Sequence, residues 1–337
     1  MKRFILIFAL VLLVALPVYA AAGTTEHNDW MAPMSLLAVG LVVNAANLKA
    51  MFKSFNAIFN EAFAAATPQW PKIAMEVPST TRSNNYSWMA LLTGMREWIG
   101  DRHVENLKAY VYELLNKTWE HTIGVPREDI EDDQYGVYNP VVKHQAALAV
   151  SHPDELVFGL LNTGFTSLAY DGKTFFATDH AFGSNKATYV LNAENFGKAL
   201  AALGRLKRAD GKTPFYTGGE KFTLVTGPEL EGTALAILNN EYISVANGST
   251  QNNIWKGAAS YVKSGIITSA TAWFIVVEYN TLKPLVFQKR RDPKFTQFVD
   301  PDSPEVFKTN TFTFGVDARY NAGYGLPQLA FGSTGLG

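Results

Sequence analysis

The stretch that most constrains this chain is AANLKAMFKSFNAIFNEAFAAA, residues 45–66. There Leu48, Met51, Phe52, Phe55, Ile58, Phe59 and Phe63 recur at three- and four-residue spacing. Such a stripe defines an amphipathic helix whose aromatic face must be covered by another part of the fold. Thr67-Pro68 and Trp70-Pro71 end it, because proline lacks the amide donor and biases its predecessor away from helix.

The 337 residues, 47% of them hydrophobic, suffice for one large or two ordinary domains with a substantial core. A net charge of -1 with no long Lys/Arg block argues against tight sequestration of nucleic acid, which needs many phosphate contacts. Without cysteine there are no disulfides, thiolate nucleophiles or Cys-based metal centres.

The N-terminus has a different character. Lys2 and Arg3 precede an apolar run over residues 4–16, then Pro17 and Val18-Tyr19-Ala20, the pattern of a secretory signal with a cleavage site.

Beyond the first helix, residues 73–125 scatter Tyr, Trp, Val, Ile and Thr among charges. They read as a long exposed β-hairpin, 95–104 out and 109–125 back, a ribbon that is marginal alone and needs a neighbouring chain. Pro126-Arg127-Glu128-Asp129 opens a long helix reaching towards Leu161, interrupted at Asn139-Pro140 or His152-Pro153. After Gly164 shorter elements predict an α/β unit: helices over 193–206 and 232–238, strands over 221–225 and 272–277. From Leu282 the strand-like LKPLVFQ, FTQFV and TNTFTFGVDARY are separated by Asp-Pro and Ser-Pro turns.

No motif for catalysis or cofactor binding emerges. The acidic group Glu128, Asp129, Glu131, Asp132 and Asp133 lacks the spacing of a calcium loop and reads as a helix start or solvated face. Asp179-His180 comes nearest to an acid–base pair, but adjacent residues seldom face each other productively. Gly218-Gly219-Glu220-Lys221 lacks phosphate-loop spacing and reads as a turn. Lys289-Arg290-Arg291 suits a solvated strand end or a salt bridge across a subunit contact. No cofactor and no metal are expected.

Several strings, in order, resemble the Mu-like major head subunit family, also called the gpT family. They are KIAMEVPSTTRSNNYSWM (72–89), REWIGDR (96–102), NKTWEHTIGVPREDIEDD (116–133), HPDEL (152–156), YDGKTFF (170–176), FQKRRDP (287–293) and FGVDARYNAGYG (314–325). The similarity runs over residues 41–330. It implies an α+β fold of the tailed-phage capsid (HK97-like) type, with an N-terminal arm, an extended E-loop β-hairpin, a peripheral domain holding a long spine helix, and an axial α/β domain.

The expected divisions are 1–33, a signal-like leader or over-extended start; 34–71, the arm; 72–164, the first peripheral part with E-loop at about 95–125 and spine at about 129–163; 165–280, the axial domain; and 281–337, closing peripheral strands and C-terminus. The leader departs from the family, since capsids assemble in the host cytoplasm. Translation from Met31 or Met34 is expected, with periplasmic export or secretion the alternative.

The function implied is a non-enzymatic major capsid subunit that self-assembles, as pentamers and hexamers, into an icosahedral head around double-stranded DNA. An encapsulin-like compartment shell is the alternative of the same fold, and a secreted enzyme or binding protein the alternative if the signal works. Scaffold, protease, portal or decoration proteins are further partners, with weak non-specific DNA contact and no membrane. Candidate subunit contacts are Arg82, Arg96, Trp98, Lys108, Tyr110, Lys117, Trp119, Arg127, Arg290 and Arg291. Some capsids of this fold form isopeptide bonds in the E-loop, where Lys108 and Lys117 lie, but no matching partner is evident and no cross-link is predicted.

Overall fold

The computed structural model describes residues 45–91, 112–132, 134–208, 210–244 and 249–337. The aromatic stripe forms helix α1 (Ala45–Ala65), in which Leu48, Met51, Phe55 and Phe59 are at most 3% exposed. Each such side chain contributes roughly 1.5–3 kcal/mol relative to exposure. Their cover is helix α3 (Asn139–Thr163) together with a sheet of long strands.

That sheet has the order β1 (Ala74–Pro78), β11 (Leu285–Phe298), β12 (Thr311–Tyr324), β4 (Lys117–Pro126). β1 runs parallel to β11, and the other pairs are antiparallel. Along β12, Phe312, Phe314, Val316, Ala318 and Tyr320 are buried while Thr311, Thr313, Gly315, Asp317 and Arg319 are half-buried. This period of two means that one face is packed and the other wet.

A second, five-stranded sheet is ordered β5 (Lys186–Ala187), β13 (Ala330–Ser333), β10 (Trp273–Glu278), β6 (Lys221–Thr226), β9 (Ser260–Lys263). Both of its faces are covered. Trp273, Ile275 and Val277 share a core with Phe196 and Leu203 of α4 (Ala193–Gly204) and Ile237 of α5 (Glu231–Asn239). Phe274 and Val276 face the other way, onto Val157, Phe158 and Leu161 of α3. The N-terminal half of α3 therefore packs on the long-strand sheet, while its C-terminal half lies where the two sheets meet, against Phe274 and Val276 of one and Phe287, Tyr320 and Tyr324 of the other.

Four expectations are corrected. Residues 117–126 are not the return arm of a ribbon but the edge strand β4, paired with β12; alternation marks a strand without naming its partner. The long helix starts at Asn139 and not near 129: a short α2 (Arg127–Glu131) and a 3-10 turn (Tyr135–Tyr138) precede it, so the break expected at Asn139-Pro140 is its start, whereas Pro153 lies inside it without ending it. Asp292-Pro293 is not a turn; β11 runs through it with register shifts between Lys289 and Lys294, since proline is tolerated at a bulge. Finally, the closing segment divides, because β13 joins the five-stranded sheet and not the long-strand one. The leader and ribbon residues 92–111 lie outside the described residues.

Candidate assembly surface

The stems on either side of residues 92–111 meet. The Tyr86 amide donates to the Tyr112 carbonyl at 2.8 Å, and β2 (Ser83–Asn85) pairs antiparallel with β3 (Glu113–Leu115). Asn116 locks the turn below, donating its amide to the Arg82 carbonyl at 2.9 Å and its side-chain nitrogen to Ser79 Oγ at 2.8 Å.

The junction is tied to the long-strand sheet by uncharged groups. The Tyr86 hydroxyl donates to Gln288 Oε1 at 2.8 Å, and Gln288 Nε2 to the Leu114 carbonyl at 3.0 Å; Gln288 is fully buried. The Tyr324 amide donates to the Tyr112 hydroxyl at 2.8 Å. Burial pushes the Tyr86 hydroxyl up to about 12 and raises Tyr112 as well, so both stay neutral. A Cβ at Gly323 would stand 2.9 Å from the Tyr112 hydroxyl and 3.0 Å from Leu114, so a larger residue there would have to push these side chains aside.

Outside the stems, the wet face of β4, β12 and β11 carries Thr118, Arg319 and Arg291 in one row and Glu120, Asp317 and Lys294 in the next. An ion pair joins Arg291 to Asp317. Where β11 bulges at Pro293, a cleft of about 190 Å³ opens against α3 and β4. Trp119, His152 and Tyr320 wall it: the Trp119 and His152 rings are 4.4 Å apart, and His152 Nδ1 is hydrogen-bonded to the Tyr320 hydroxyl at 3.0 Å. Trp119 Nε1 donates to the Tyr320 carbonyl at 3.0 Å, holding the indole in place. Burial pulls His152 below the ordinary imidazole range and pushes Tyr320 up, leaving both neutral.

Of the contacts named from sequence, Arg82 is exposed at the stem turn, Lys117 lies 5.9 Å over the Trp119 ring, and Trp119 lines the cleft. Arg127 pairs with Glu131 at 2.9 Å, while Lys289 reaches Glu76 at 2.7 Å. Thus the basic trio is split: Lys289 and Arg291 are paired within the chain, and Arg290 is exposed. Arg96, Trp98, Lys108 and Tyr110 lie outside the described residues. The structure adds Tyr86, Tyr112, Gln288, His152 and Tyr320; all but Tyr112 lie in the family-like strings, but nothing in those strings singled them out.

The remaining candidates are used structurally. Glu128 accepts from Asn310 at 3.1 Å and Asp129 accepts from Tyr138, while Asp133 lies outside the described residues. Asp179 and His180 face apart: His180 Nδ1 is 2.6 Å from Asp171 Oδ2 and its buried ring stacks on Phe182, whereas Asp179 pairs with Lys173 at the surface. Gly218 and Gly219 both have positive φ, as a tight turn demands. Among the described residues no group of three His, Asp or Glu side chains could hold a metal ion, and no helix is long and apolar enough to cross a membrane.

The model of the Mu-like prophage major head subunit gpT family matches residues 48–190, 181–267 and 264–335. The chain belongs to this family. It is 32% identical over 288 residues to the Mu-like prophage FluMu major head subunit of Haemophilus influenzae, covering 86% of this chain and 73% of that protein. The major capsid protein of Escherichia phage Mu is 30% identical over 295 residues, 88% of this chain and 76% of that one. Among solved structures, the procapsid of bacteriophage JBD30 matches with 31% identity and a TM-score of 0.52, over 86% of this chain and 76% of that one. The fold is thus α+β and of the tailed-phage capsid, HK97-like type. As a gpT-family major head subunit the protein is structural, not an enzyme; it assembles with copies of itself, and its place is the virion capsid.

Proposed function

We propose that the subunit forms pentamers and hexamers that close into an icosahedral head around double-stranded DNA, assembled in the host cytoplasm, with residues 92–111 of each copy lying on its neighbour. The observation that carries this is the closed junction: the described residues on either side of 92–111 are hydrogen-bonded at Tyr86 and Tyr112 and anchored through Gln288, which fixes where that segment begins and ends. Contacts made this way are head-to-tail, and such contacts close into rings when the rotation allows. Scaffold, protease, portal and decoration proteins are the further partners of such a head.

The test replaces residues 92–111 with a short Gly/Ser linker and leaves Tyr86 and Tyr112 in place. A cut through residues 107–114 would instead remove Tyr112 and Leu114 and confound folding with assembly. Folded soluble subunits without shells, by circular dichroism and electron microscopy, are expected; normal shells would overturn the reading.

A further inference from the structure

The cleft beside β4 combines features that the fold alone does not require. Its floor, Leu148, Ala149, Val316 and Ala318, is apolar. Its walls are the neutral rings of Trp119, His152 and Tyr320, fixed by their mutual hydrogen bonds. Its rim carries one free carboxylate: Glu155 is exposed and not ion-paired among the described residues, whereas Glu120 and Asp317 project from the opposite, wet face, where Glu120 accepts from Thr122 Oγ1 at 2.7 Å and Asp317 is taken by Arg291.

An apolar floor beside the exposed Glu155 carboxylate suits a long side chain with an aliphatic stem and a cationic head. Aromatic faces add to the attraction, and Trp119 already holds the ammonium of Lys117 at 5.9 Å. The cleft also adjoins the outer edge of β4, which pairs with no other strand among the described residues and can take an extended segment alongside. We propose that this cleft receives a lysine or arginine side chain from a second copy of the chain, making Glu155 and Trp119 an interface socket. The inference rests on the shell-building function above and names where one subunit grips the next.

The full chain is assembled, and carboxylates are labelled with carbodiimide and glycine amide in shells and in free subunits, with peptide mass spectrometry as the readout. Labelling of Glu155 is expected to fall several-fold in shells. In parallel, Glu155→Gln is expected to need a severalfold higher subunit concentration to assemble, with circular dichroism unchanged. Equal labelling of Glu155 in shells and subunits would overturn the socket. So would protection of Glu155 with unaltered assembly of Glu155→Gln, which would mean that the occupant is uncharged. Failure of the unaltered chain to form any shell would instead overturn the shell function on which the socket depends.

Discussion

The two sheets are built for different tasks. In the five-stranded sheet, β10 is buried from Trp273 to Val277 without alternation, because helices or loops cover both faces. In the long-strand sheet, β12 alternates strictly from Thr311 to Tyr320 and β4 is largely exposed, because over this stretch only the α1 and α3 side is covered; at the other end, residues 285–288 and 321–324 are buried where the stem junction packs on the second face. The first sheet is a folding core. The second spends half of its area on presentation, and every candidate contact surface, stem junction, wet face and cleft, is attached to it.

Phe274→Ala tests the contrast most severely. The ring is 1% exposed and stacks on Phe176 at 5.4 Å, so about 3–5 kcal/mol of stability should be lost, whereas Thr313→Ala on the wet face should stay within about 0.5 kcal/mol; guanidinium unfolding measures both. Similar losses at both sites would break the contrast.

Gln288→Leu probes the join between stem and sheet. It strips partners from the Tyr86 hydroxyl and the Leu114 carbonyl in a buried site, with an expected cost of about 1–3 kcal/mol by the same unfolding measurement. Shells from this variant should form poorly even where the subunit remains folded, and efficient assembly would show that the junction's rigidity is dispensable.

The smallest effect concerns His152. Burial holds its folded pKa below the usual 6.5, so the unfolded chain binds the proton more readily. The stability gained from the neutral ring is complete above pH 6.5 and is lost as pH falls through the folded value. Wild-type Tm should therefore drop on acidification across this window, and His152→Gln should flatten that drop. An identical pH profile for the two would remove His152 from the account.

Local pattern sufficed for α1, whose aromatic residues repeat at helical spacing, and for β10 and β12, whose apolar runs are continuous or alternating. It failed at Asp292-Pro293, where a turn signal became a bulge, and at β4, whose partner is chosen by packing. Trp119 was recognisable as an aromatic among charges. Its cleft was not, because it pairs Trp119 with Tyr320, 201 residues away, and His152 with that same tyrosine across 168 residues.

Composition and spacing were thus enough to exclude cysteine chemistry, to place the aromatic helix and the alternating strands, and to carry the family likeness, since each depends only on residues near one another in the chain. Which strand lies at the edge, where the ribbon's stems meet, and that Glu155 stands without an ion-pair partner beside an apolar cleft were decided by tertiary packing alone. Burial, and the pairing of distant polar groups that it enforces, is a property of the folded surface and has no local spacing to reveal it.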